Sequence, residues 1–120
     1  MRIHHIALRT GDLPRLEAFY CGVLGLKLSR RNGERSVWLD AGDAIVMLER
    51  AEPGEPTIAA GTMEMVAFAI TAKERADCTR RLAGAGIAVE SETAFTLYVR
   101  DPDGRRVGLS HYGEVAAVIA

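Results

Sequence analysis

His5, Arg9 and Glu49 are the side chains of this 120-residue chain whose types best suit proton transfer or anion binding. An imidazole or a carboxylate acts as a general base when burial tunes its pKa toward neutrality. Arginine's planar fork matches the paired oxygens of a carboxylate or phosphate. Around these, Trp38 and Tyr98 offer aromatic surface, Met47 and Met65 adaptable thioethers, Arg100 a second guanidinium and Ser110 a hydroxyl. Together they suit a flat, partly polar small molecule. Each also has a plainer reading. His5 could be an ordinary hydrogen-bonded histidine, Arg9 could be neutralised by Glu49, and Tyr98 could be core. Met47 and Met65 could simply fill a void. Asp12, Asp101 and Asp103 read as cap and turn residues with no catalytic role.

The bulk composition removes several classes of function. A formal net charge of −1 with scattered arginines provides no field for nucleic acid or an anionic membrane surface. No apolar run approaches the ~20 residues of a membrane span. Met1-Arg2-Ile3-His4-His5 lacks the pattern of a secretion signal, so a cytoplasmic protein is expected. Cys21 and Cys78 form neither a disulfide framework nor a metal clip. There is no phosphate-cradling glycine loop and no dinucleotide fingerprint.

The elements that must position these residues come as an internal repeat. A strand over Arg2–Arg9 leads to Gly11-Asp12-Leu13-Pro14, where Asp12 can cap a helix and Pro14 fits its first turn. Leu16, Phe19, Tyr20, Val23 and Leu24 form one apolar helical stripe, stopped by Gly25. A hairpin follows, Leu26–Arg31 and Ser36–Asp40, with Asn32-Gly33 predicting a type I′ turn. Ala41-Gly42-Asp43 turns the chain into Ala44–Leu48. Module one therefore reads β-α-β-β-β over residues 1–50, and the Pro/Gly-rich stretch at 51–62 is its linker. Module two, 63–112, repeats the order. Thr71 to Glu74 has capping-box spacing, Gly84 and Gly86 end the helix, and strands follow near Ile87–Glu90, Phe95–Arg100 and Arg106–His111. Asp101-Pro102-Asp103-Gly104 turns between the last two. The apolar tail, 113–120, reads as a helix or a docking arm.

Strand alternation sorts the side chains by face. Ile6 and Leu8 oppose His5, Ala7 and Arg9; Val66, Phe68 and Ile70 oppose Met65, Ala67 and Ala69. The apolar faces should pack under the helices. Trp38, Met47, Glu49, Tyr98, Arg100, Gly108 and Ser110 would join the open face if each strand keeps its register.

His5-Ile6-Ala7-Leu8-Arg9, with Gly11-Asp12-Leu13, Phe19-Tyr20 and Val23-Leu24-Gly25-Leu26, resembles the opening of vicinal oxygen chelate proteins, the glyoxalase/bleomycin resistance/extradiol dioxygenase group. Leu97-Tyr98-Val99 before Asp101-Pro102-Asp103-Gly104 resembles their closing hairpin. The resemblance implies an α+β fold in which two βαβββ modules form an open, incomplete barrel around a cavity, commonly in a homodimer. It also implies a divalent metal, held by His and Glu on the inward face, that chelates vicinal oxygens. Those positions fall here on His5, Met47, Met65 and Gly108. Histidine is the single ligand-type residue retained, since thioethers suit hard cations poorly and glycine has no donor.

The leading expectation is accordingly a small-molecule-binding protein with a degenerate metal site and no cofactor, sequestering an antibiotic-like or aromatic ligand. The alternative is a lyase, isomerase or dioxygenase using His5 with Glu49. It would work without a metal or with zinc, nickel, manganese or iron. A third reading is a degenerate module that serves only as a dimerisation partner.

Overall fold

The computed structural model describes residues 1–114, so the helix or arm expected over the tail lies, from residue 115 on, outside them. In module one, β1 (His5–Thr10) precedes a short helix, α1 (Leu13–Glu17). The Asp12 side chain caps α1 by accepting from the Arg15 N–H at 3.1 Å. Beyond Glu17 the winding widens into a π-helical segment, Ala18–Val23. Leu24 N donates to Phe19 O at 2.9 Å, five residues back. An even helical stripe was expected here. The stripe survives the wider turn: Phe19 and Tyr20 are both buried in the core, their rings edge to face at 5.0 Å. Gly25 ends the segment at φ +86°, a conformation that a side chain resists.

The strands β2 (Lys27–Asn32), β3 (Ser36–Ala41) and β4 (Ala44–Arg50) complete the module. The Asn32-Gly33 turn is not type I′. Gly33 has φ +58°, but no other residue of the loop is left-handed, and the loop is three residues long. Asn32 stays in the ladder opposite Ser36, donating to its hydroxyl at 3.1 Å and accepting from Arg30 Nε at 3.0 Å. Those bonds favour the extended conformation over the turn.

Module two has β5 (Met65–Ala69), α2 (Glu74–Gly84), β6 (Ser91–Glu92), β7 (Thr96–Arg100) and β8 (Arg106–Ser110). The capping box forms as spaced: Glu74 N donates to Thr71 Oγ1 at 3.1 Å, and Thr71 N to Glu74 Oε1 at 2.9 Å. The strand expected at Ile87–Glu90 is displaced to Ser91–Glu92, and Glu90 N donates to Tyr98 O at 2.8 Å.

Each module makes its own four-stranded sheet, in the orders β1-β4-β3-β2 and β5-β8-β7-β6. The first strand pairs parallel to the last in both, and all other pairs are antiparallel. The fold is α+β with two βαβββ modules, and the sheets do not close into a barrel. One core runs through both, with Leu16, Leu39, Leu48, Leu82, Val99 and Val107 almost fully buried. The molecule is elongated, 49 × 29 × 28 Å. Among the described residues no helix is long and apolar enough to cross a membrane.

Candidate functional site

Register places the candidate residues on the faces turned away from the core. Parallel pairing of β1 with β4 sets Ala7 beside Met47 and Arg9 beside Glu49, with His5 beside Ile45. Antiparallel pairing of β4 with β3 brings Trp38 beside Met47 and Ser36 beside Glu49. A bulge does occur, between Leu28 and Arg30. It falls in the edge strand β2, which held none of the candidates, so the face is preserved.

Along this first face the chemistry separates into two ends. His5 is exposed, and its Nδ1 lies 2.8 Å from Nδ1 of His4. Four positions further along, about 13 Å at ~3.3 Å per residue, Glu49 lies 3.5 Å from Arg9 Nη1. The two residues paired as catalytic candidates thus stand apart. Midway between them, beside Met47, the Arg30 guanidinium lies 5.3 Å from the Trp38 ring centre, and the buried Trp38 Nε1 has no hydrogen-bond partner.

Arg9 sits at the other end, below the linker. Its Nε and Nη2 donate to the two oxygens of Glu55 at 2.9 and 2.7 Å. Those bonds, with a further one from Glu52 N, hold the Glu55 carboxyl at about 2, far below its ordinary 4.5. A cavity of about 920 Å³ lies here between Arg9, Ser36, Glu49, Arg35, Arg105 and the linker. Glu55 and Arg105 escaped the sequence reasoning, because a linker and a turn carry no periodicity that would point them at a strand face.

The second face is built the same way. Met65 pairs with Arg106, Ala67 with Gly108 and Ala69 with Ser110, while Tyr98 and Arg100 join from β7. Several of these groups are already engaged. Arg100 donates to Glu90, Thr62 O and Gly104 O. The Ser110 hydroxyl shares a 2.8 Å bond with Thr96 and accepts from Tyr112 N. Arg106 lies over the Tyr98 ring at 4.0 Å and points Nη1 at Met65 Sδ, 3.8 Å away. Sequence alternation carried the signal for Arg106, which is two residues before Gly108 on the same strand.

The four positions that the resemblance assigns to metal ligands divide between the two sheets, His5 and Met47 on one, Met65 and Gly108 on the other. A Cβ built on Gly108 would stand 3.2 Å from Ala67 Cβ and 3.5 Å from Met65 Cε, so the methionine methyl covers that position. Beside it the Arg106 guanidinium already supplies positive charge. Among the described residues no three His, Cys, Asp or Glu side chains come together as cation ligands. This donor set does not fit a hard divalent cation.

Paired βαβββ modules, each with its own four-stranded sheet and an open face, define the class of fold. The chain belongs to the Glyoxalase/Bleomycin resistance protein/Dioxygenase superfamily, whose family model matches residues 2–109. It is similar to the solved lactoylglutathione lyase from Agrobacterium tumefaciens, at 25% identity and TM-score 0.65, covering 91% of this chain and 92% of that one. The fosfomycin resistance protein FosX from Listeria monocytogenes shares the fold at 18% identity and TM-score 0.76, with 91% and 89% covered. FosX from Mesorhizobium loti does so at 18% and 0.75, with 92% and 90% covered. A search of curated protein sequences finds no match.

Proposed function

We propose that this chain is a metal-independent small-molecule-binding member of the superfamily, taking an antibiotic-like or aromatic ligand on its open faces. One observation carries the reading. At the Met65–Gly108 corner the structure holds a thioether whose methyl covers a buried glycine, and the Arg106 cation 3.8 Å from the sulfur. A guanidinium there repels a metal ion. With Tyr98 beneath it, it also makes a flat polar-aromatic surface of the kind that stacks on a ring.

A cytoplasmic homodimer belongs to the same reading. Each chain leaves both faces uncovered, with Met65 42% exposed, and a second copy would enclose them. The ligand-binding set is Arg9, Trp38, Met47, Met65, Tyr98, Arg100 and Ser110, to which Arg106 is added.

Elemental analysis of purified protein, with light scattering for the dimer, tests the reading. Substoichiometric zinc, nickel, manganese and iron are expected, with ligand binding indifferent to a chelator. One tightly held metal ion per chain would overturn it. The likeness to a lactoylglutathione lyase favours a second reading, a lyase in which exposed His5 acts without Glu49. Turnover abolished by His5→Ala would select that one.

A further inference from the structure

We propose that Glu55 is a built-in competitor for a carboxylate-recognition site on Arg9, and that an organic acid binds by displacing it and lifting the linker. This inference rests on the small-molecule-binding reading and names a ligand class and a gate for the Arg9 end of the first face.

Three observations meet at this place. The guanidinium is held from two sides by groups of different standing. Glu49, on β4 and therefore fixed by the sheet, lies 3.5 Å from Nη1. Glu55, on the linker, takes the Nε–Nη2 edge through both carboxylate oxygens. Glu49 thus orients the fork, and Glu55 occupies the edge with the paired geometry a free carboxylate would adopt.

Second, the strap that carries Glu55 is lightly attached. Ala51 N donates to Thr10 O at 2.8 Å, and the Glu52–Glu55 turn closes on itself through Glu55 N to Glu52 O at 3.1 Å. Among the described residues, Glu55 supplies the side-chain hydrogen bond that ties the stretch from Glu52 to Gly61 to a sheet. Third, the Arg9–Glu55 pair stands in the cavity of about 920 Å³, a volume suited to a small molecule. Pro53, Pro56 and Ile58 of the strap give that cavity apolar wall, so an acid with an apolar body fits better than a bare ion.

An internal carboxylate lowers the apparent affinity for an external one by competing for the same donors, as any intramolecular occupant does. Removing it should therefore tighten binding, the opposite of what deleting a ligand contact does. An exposed ion pair of this kind sets the scale at about fivefold.

Benzoate is the probe and benzamide its uncharged counterpart, with binding followed through 1H–15N correlation spectra, which also report the fold of each variant. Glu55→Ala and Glu55→Gln should bind benzoate about fivefold more tightly than the native chain. Arg9→Ala in the Glu55→Ala background should erase the gain, and benzamide should bind weakly to all. In the native chain, saturating benzoate should move the Glu52 amide and the Arg9 Nε–H signals together. Equal benzoate affinity with and without Glu55 overturns the proposal. A gain that survives loss of Arg9, benzamide binding as well as benzoate, or no benzoate binding to either Glu55 variant does so too. Finding a bound metal would sink the metal-independent reading and leave this result standing. Losing the Glu55 effect alone would leave the metal analysis untouched.

Discussion

The Tyr20 hydroxyl donates to Asp101 Oδ2 at 2.7 Å across 81 residues, tying the π-helical segment of module one to the closing turn of module two. Asp101 has no exposed side-chain surface. It also accepts from the backbone N–H of Asp103 and Arg105 and from the Arg105 guanidinium. Arg105 in turn donates to the Arg9 carbonyl, and Arg15 to the Pro102 carbonyl at 2.9 Å, so the turn is pinned on three sides. A residue that reads as a turn former is thus also the acceptor that joins the two modules.

Tyr20→Phe should lower unfolding stability by about 2 kcal/mol, because a buried hydrogen bond to a charged acceptor is lost. Asp101→Ala should cost more, about 3 kcal/mol, since two turn amides lose their acceptor and Arg105 loses one of its carboxylate partners as well. Urea denaturation measures both. A Tyr20→Phe change below a few tenths of a kcal/mol would show that the contact contributes no net stability. Burial, and then the neighbouring Asp101 carboxylate, push the Tyr20 phenol far above its usual range. It therefore remains a donor through alkaline pH, and its phenolate absorbance should stay absent until the chain unfolds.

The Arg9–Glu55 clamp predicts a pH profile. Glu55 is depressed from 4.5 to about 2, by the Arg9 hydrogen bonds first and the Glu52 backbone bond second. A depressed carboxyl stabilises the folded form above its unfolded pKa and loses that contribution as pH falls toward the folded value. The 13C shift of the Glu55 side-chain carboxyl should therefore stay flat from pH ~6 down to ~3.5, where an unclamped glutamate has already titrated. Titration centred near the ordinary carboxyl value would show that the strap is not held.

The two cysteines should behave differently toward a thiol reagent. Burial, with Glu17 nearby, raises the Cys21 thiol above its ordinary 9.0, so its thiolate is scarce near neutrality. Cys78 is 4% exposed within the core. Slow labelling of Cys21 that speeds up with pH, and no labelling of Cys78 before unfolding, is the expected pattern in a timed mass-spectrometric assay. Rapid Cys78 labelling at pH 7 would contradict the packing described.

Arg100 holds the end of the linker through the Thr62 carbonyl as well as pairing with Glu90. Arg100→Ala should therefore speed proteolytic cleavage within residues 51–62 while leaving the core resistant. Unchanged cleavage there would remove Arg100 from the linker's attachment.

How much of this was legible depended on how local the cause was. The Thr71–Glu74 box, the Asp12 cap, the positive φ of Gly25 and the Asp101–Gly104 turn all follow from residues within a few positions of one another. The strand faces were readable because β1, β3 and β4 pair without a slip. The type I′ expectation at Asn32-Gly33 failed where Arg30 on the same strand and Ser36 across the ladder held Asn32 extended. The π-helical widening was invisible for a different reason. It lies in the backbone winding, and the spacing of Leu16, Phe19, Tyr20, Val23 and Leu24 suits an ordinary α-helix equally well.

Alternation and short-range hydrogen-bonding chemistry were enough to establish the repeat, the two βαβββ modules and which side of each strand carries His5, Arg9, Met65 and Gly108. Nothing in that pattern says which charged groups meet. Arg106 over Tyr98, Glu55 on Arg9 and Asp101 under Tyr20 arise when a linker, a turn and two sheets are folded against each other. Such contacts join residues without a shared period, and packing in three dimensions selects among partners that the linear chain leaves equivalent.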